Sequence, residues 1–249
     1  MDNQGLDIIY ADEQLVVVDK PGGLLSVPGR GPEKQDCVVN RLKKMFPGSI
    51  DQLAVHRLDM ATSGLMVLAL TVEAHRNLSR QFSAHLVQKR YIALLEGVVA
   101  ADSGEITLRF RLDPDNRPYQ VYDPVHGKIG TTRWRCLDIS GNRTRIEFVP
   151  LTGRTHQLRL HAAHELGLGC PIVGDSLYGA GSQGDLMLLH AAALSFIHKM
   201  VRNIVGILCM VGRKKWTEQK IISLLNTKDS VSQKITAPAC GLYLKKISF

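Results

Sequence analysis

His56-Arg57-Leu58-Asp59-Met60-Ala61-Thr62-Ser63-Gly64 runs directly into Leu65-Met66-Val67-Leu68-Ala69-Leu70, and this change from polar to apolar sequence organises the chain around it. The apolar run has the length of a strand buried on both faces, and the Thr-Ser-Gly triplet before it signals a turn. Asp59 is therefore expected on a loop held by a core strand, flanked by a guanidinium and two hydroxyls. An Asp so placed is most often a turn or cap residue, and the same placement suits a site carboxylate.

Working outward, residues 8–20 (IIYADEQLVVVDK) read as two short strands around an acidic turn, closed by Pro21-Gly22-Gly23. The loop that follows, KPGGLLSVPGRGP, can bring backbone close to a ligand, but it lacks the GK[ST] ending of a phosphate-binding loop. Apolar residues at 38, 39, 42, 45 and 46 predict a short helix stopped by Pro47-Gly48. Beyond the central strand, a helix is expected over about 73–84, then a strand over 91–99 with Tyr91 at its entrance. Alternating runs between turn signals from 106 to 149 predict antiparallel strands, and a Gly153-led turn opens a helix through about 167. A last strand is read in LMLLHAAALSFIH, 186–198. Nothing alternates strand and helix as a doubly wound sheet requires, so the fold class is α+β.

Composition narrows the functional classes. With 249 residues, 45% of them apolar, the chain can bury a full core. An acidic, polar N-terminus and the lack of any membrane-length apolar run predict a soluble cytoplasmic protein. Five scattered cysteines (37, 136, 170, 209, 240) without CxxC spacing predict reduced thiols. The net charge of +8 is unevenly spread: residues 1–198 carry 21 basic and 21 acidic side chains, whereas 199–249 carry ten basic and two acidic. A neutral body with a basic tail suggests an anionic partner. His156, His161 and His164 lack an i, i+4 pair and a completing Cys or carboxylate, so no metal site is expected.

HRLDMATSGLMVLA resembles the HRLDxxTSGL signature of RluA-type RNA pseudouridine synthases. Three further segments agree in order: KPGGLLSVPG, KRYIALLEG, and LTGRTHQLRLH followed by PIVGDSLYG and LLHAAAL. The resemblance spans about residues 8–198. It implies a pseudouridine synthase-like core, a mixed and largely antiparallel sheet with flanking helices and a central cleft. It also implies isomerisation of uridine to its C-glycoside, with Asp59 as the catalytic carboxylate, Tyr91 as the active-site tyrosine and Arg154 as the arginine paired with Asp59. Cleaving N1–C1′ and rejoining the base through C5 is an isomerisation that requires no cofactor or metal. The carboxylate acts either as a nucleophile or as a base on the C2′ proton, and the sequence leaves both open. Extruding a stacked uridine requires a group to fill its place, which the resemblance assigns to Arg57, with His56 beside it. SVPGR, with Arg30, and DPDNRPYQ, with Arg117, are most like the RluA subgroup, which modifies a tRNA anticodon stem-loop and 23S rRNA. No S4-type RNA-binding domain is expected at the N-terminus, and the protein is expected to be a monomer bound to RNA.

The tail departs from that family. From about 196, MVRNIVG, VGR and TAPACGLYL resemble the C-terminus of TruA-type tRNA pseudouridine synthases, so the chain divides into a catalytic domain at 1–198 and a basic segment at 199–249. Helices are expected over 200–211 and 218–225 and a strand over 241–249, with Arg202 as a second candidate for the arginine beside Asp59 and for RNA contact. A non-catalytic RNA-binding protein is the alternative reading, and a histidine-based metal hydrolase a remote third.

Overall fold

The apolar run after Gly64 becomes an inner strand of the sheet in a computed structural model of the chain, which describes residues 4–182, 184–196 and 244–245. Nine strands carry the architecture: β1 (Asp7–Ala11), β2 (Leu15–Lys20), β3 (Ser63–Ala69), β4 (Gln88–Glu96), β5 (Ser103–Leu112), β6 (Gln120–Tyr122), β7 (Lys128–Ser140), β8 (Arg143–Pro150) and β9 (Leu189–Ser195). Their order across the sheet is β1-β2-β3-β9-β4-β8-β7-β5-β6. β3 and β9 are parallel, through Ser63↔His190 and Gly64↔Ala191. The pairs β1–β2, β2–β3, β4–β8, β5–β6, β5–β7 and β7–β8 are antiparallel. This is the mixed, largely antiparallel α+β sheet that the sequence implies.

Three helices accompany the sheet: α1 (Val38–Met45), α2 (Val72–Ser83) and α3 (Gln157–Ala163). The α1 start is fixed by Cys37, whose Sγ accepts the amide of Asn40, and the α2 start by Thr71, whose hydroxyl accepts the amide of Ala74. Two apolar cores result. One packs β2, β3 and α1 through Val16, Leu42, Leu53, Met66 and Leu68. The other packs β4, β5, β7, β8 and α3 through Leu95, Phe110, Trp134, Phe148 and Leu160. Tyr91 touches both cores, so its strand is anchored on each side of it.

Gly64 is required where the parallel pair begins. Its φ is +116°, and a Cβ built there would collide with the backbone of Ala191 on β9. Only a residue without a side chain lets the two strands approach that closely.

Two boundaries differ from the sequence expectation. β4 begins at Gln88, three residues upstream of the apolar run, so Tyr91, paired with Phe148 on β8, sits inside the strand. α3 begins only at Gln157 and ends at Ala163: His156 is left-handed at φ 55°, and His164 is extended at ψ 141°. Residues 153–156 are therefore a turn. The sheet and helices lie in the first of two units into which the chain divides, 1–194 together with 245–249; the second is 195–244. The tail helices, MVRNIVG and Arg202 fall outside the described residues, and Leu244–Lys245, within the final strand expected at 241–249, form a two-residue strand.

Candidate active site

Asp59 sits on a loop braced from three directions by the glycine-rich segment that follows β2. The amide of Thr62 donates to the Asp59 carbonyl at 3.1 Å, closing a tight turn. Ser26, buried, donates its hydroxyl proton to the Leu58 carbonyl at 2.6 Å and accepts the Leu58 amide at 3.0 Å. Gly23 donates its amide to the Met60 carbonyl at 2.9 Å. Lys20 is fully buried and donates from Nζ to the carbonyls of Pro21, Leu24 and Met60 at 2.7–3.0 Å. Burial pulls the Lys20 ammonium down to about 8, against the opposing pull of the Asp59 charge. KPGGLLSVPG was expected to approach a ligand; its glycine, serine and lysine instead hold Leu58 and Met60, and so aim the residue between them.

That residue lines a cavity of about 370 Å³ together with Arg57, Tyr91, Arg154, His156 and Arg159. The structure thus brings the three expected catalytic residues to one cleft. The Tyr91 phenol is pushed up by burial first and by the Asp59 charge second, so it keeps its proton in the field of that carboxylate. Asp59 itself forms no ion pair with any described residue.

Two arginines of this segment line the cleft, and they differ in burial and partners. Arg154 is exposed at the rim; its Nε donates to the Ile129 carbonyl at 3.2 Å and its amide to Gln157 Oε1 at 3.0 Å. Arg159, five residues on, is buried in the cleft wall. Its Nε donates to Asp175 Oδ2 at 2.8 Å and its Nη2 to Asp175 Oδ1, a two-pronged pair with Asp175 wholly buried. Burial is the largest single influence on Arg159 and lowers it, but the hydrogen bond and charge of Asp175, together with the charge of Asp59, outweigh it and raise the guanidinium overall. Its placement follows from the late start of α3, which turns Arg159 into the cleft while Arg154 stays on the preceding turn. The sequence carries both arginines in GRTHQLR, and the start of α3 leaves one exposed and the other buried, with both lining the cleft.

His56 was expected to contact RNA. Its ring stacks on Phe82 at 4.5 Å and its Nε2 accepts the Val67 amide at 3.1 Å, while burial, with a smaller contribution from Lys89, holds it down to about 3. The imidazole is thus neutral and tied to β3, and it lines the cleft beside Arg57. Arg57 beside it is exposed and lines both this cavity and an adjoining groove of about 760 Å³. That groove is bordered by Arg30, Arg57, Arg111, Arg117, Lys128 and Arg154, and among the described residues no carboxylate lines it. Asp123 neutralises Arg111 in part, at 2.6 Å. Arg30 and Arg117, far apart in sequence, thus meet on one basic surface. The other expected histidines are accounted for separately: His161 is buried against Phe110, and His164 Nδ1 accepts the Leu166 amide at 3.1 Å.

A family description, RNA pseudouridylate synthase, matches residues 14–164. The chain belongs to the RNA pseudouridylate synthase family. A second description, tRNA pseudouridine synthase, matches residues 175–249, reaching upstream of the expected junction near 196. The dual-specificity RNA pseudouridine synthase RluA of Haemophilus influenzae is 45% identical over 197 residues, covering 78% of this chain and 87% of that protein. That of Escherichia coli strain K12 is 41% identical over 202 residues, covering 80% and 90%. Among solved structures, human RNA pseudouridylate synthase domain containing 1 superposes with a TM-score of 0.65 at 28% identity, covering 80% of this chain and 82% of that one. Human RNA pseudouridylate synthase domain containing 4 does so at 0.61 and 26%, covering 76% and 84%. Among the described residues, no helix is long and apolar enough to cross a membrane.

Proposed function

We propose that this protein isomerises uridine to pseudouridine in structured RNA, acting on a tRNA anticodon stem-loop and on 23S rRNA, with Asp59 as the catalytic carboxylate. The observation that carries the reading is an aspartate free of ion pairs to described residues, fixed by a braced loop in a nucleoside-sized cleft whose rim opens onto a basic groove. The groove suits the phosphate backbone, which positions the RNA without reading sequence. The cleft takes the extruded uridine, with Arg57 at the junction to fill the vacated stack.

In the reaction N1–C1′ breaks, the base turns, C5–C1′ forms, and the proton lost from C5 is balanced by one gained at N1. Asp59 promotes the cleavage at the sugar edge. Tyr91, kept protonated beside it, offers a ring face to the uracil and a phenol for proton movement. Arg159 supplies the positive charge that orients the site, and Arg154 joins the rim that contacts RNA; this reverses the roles the sequence suggested, and the buried Asp175 pair supports it. Residues 199–249 act as a basic segment that contacts RNA, with Arg202 among their contacts. The reading also takes the protein to be a cytoplasmic monomer.

The test is tritium release. RNA carrying 5-tritiated uridine, supplied as an anticodon stem-loop or as a 23S rRNA fragment, loses its label only when C5 forms the new glycosidic bond. Release from both RNAs supports the reading, and release from neither refutes it.

A further inference from the structure

His156 is a buried imidazole in the cleft wall, 8% exposed, in a left-handed conformation just before α3. Its Nδ1 lies 2.9 Å from the hydroxyl of Tyr178. That hydroxyl has a second partner, the Gln120 amide, at 2.7 Å. An amide N–H can only donate, so it occupies a lone pair of the phenol oxygen, and among the described residues Nδ1 is the one acceptor within reach of the phenol proton. Burial, the largest influence on Tyr178, raises it to about 12, so the proton is present at any working pH. Nδ1 is therefore an acceptor, and a neutral His156 carries its own proton on Nε2. Burial is also the largest influence on His156 and lowers it, which keeps the ring neutral. Nε2 bonds no described residue and is not among the sealed polar atoms, so it opens to the cleft that the ring lines.

We propose that His156, with its tautomer set by Tyr178, donates an Nε2–H hydrogen bond to a carbonyl oxygen of the uracil and so recognises the target base. The inference rests on the pseudouridine synthase reading above. A uracil presents two carbonyl oxygens, and a fixed donor discriminates most strongly against a base that offers no acceptor there. The Tyr178 hydroxyl also ties the start of β6, next to Arg117 in the basic groove, to the same ring.

Two substitutions separate recognition from packing. The Gln side chain places its amide nitrogen near the position of Nε2, whereas the shorter Asn reaches only to Nδ1. Asn, however, adopts the left-handed backbone more readily than Gln. Recognition predicts that H156Q retains more activity than H156N, with losses on the order of 10-fold and 100-fold in single-turnover tritium release. A packing role predicts the reverse order, with H156N both more stable and more active. RNA affinity stays within twofold in both variants, since the phosphate contacts lie elsewhere. H156N equal to or above H156Q overturns the proposal while wild-type release leaves the parent reading standing; no wild-type release sinks both. As an independent readout, 15N NMR of the wild type must show a neutral Nε2–H ring, and Tyr178→Phe must erode that preference. An Nδ1–H ring in the wild type overturns the assignment.

Discussion

Replacing Asp175 with Asn removes one charge from the only ion pair among the described residues whose two members are both buried. Arg159 is 4% exposed and Asp175 is fully buried, so neither charge is hydrated and each is compensated by the other. Breaking such a pair from one side costs about 3–5 kcal/mol, because the remaining charge is stranded. Asn retains an oxygen for the amides of Leu177 and Tyr178, which Oδ1 of Asp175 accepts at 2.9 and 3.2 Å, so Asp175→Asn belongs near the lower end, about 3 kcal/mol. Asp175→Ala loses those acceptors as well and falls near about 5 kcal/mol. The double change Arg159→Met with Asp175→Leu restores most of the stability, since no charge is left unpaired. Urea unfolding at pH 7, followed by tryptophan fluorescence, measures all three. A loss below about 1 kcal/mol for Asp175→Asn refutes the claim that this pair holds α3 to the cleft.

Other perturbations follow from single features. Gly64→Ala forces a side chain at φ +116° into the Ala191 backbone, and should cost at least about 3 kcal/mol or prevent soluble accumulation; a melting temperature within a few degrees of wild type contradicts this. His161 is buried with both ring nitrogens unpartnered, and burial above all lowers it to about 4. A base whose folded value lies below its unfolded 6.5 contributes nothing above pH 6.5 and destabilises as pH falls, since only the unfolded chain takes the proton. Stability should therefore drop by about 2 kcal/mol between pH 7 and pH 5 and by about 3 by pH 4 from this residue alone. His161→Leu should flatten that part of the urea-midpoint profile, and an unchanged profile removes His161 as its cause. Arg30→Ala and Arg117→Ala should each weaken RNA binding and reduce the salt slope of log Kd by about 1, measured by filter binding across salt concentrations. An unchanged slope takes that residue off the phosphate path.

The strands and the loop bearing Asp59 were legible because their signals are local: an apolar run, a Thr-Ser-Gly turn, alternation between Asp-Pro and Gly-Asn turns. The burial of Arg159 was not, because it depends on where α3 starts, and the left-handed His156 that delays the start leaves no mark in apolar periodicity. Lys20 and Ser26 were hidden for a related reason. Their partners Met60 and Leu58 lie 40 and 32 residues away, and sequence spacing carries no information on contacts at that range. The basic groove was masked by averaging: residues 1–198 sum to zero, and only the fold gathers Arg30, Arg57, Arg117 and Arg154 on one side. The surroundings of His56 were hidden in the same way. Its ring stacks on Phe82 and accepts the Val67 amide, neighbours that adjacency to Arg57 does not announce.

The most direct test concerns the carboxylate itself. Asp59→Asn keeps the shape of the side chain and removes its charge. In single-turnover tritium release from an anticodon stem-loop, the variant should lose activity by on the order of 1,000-fold or more while binding the RNA as the wild type does. Release within tenfold of wild type at equal RNA occupancy would contradict the account.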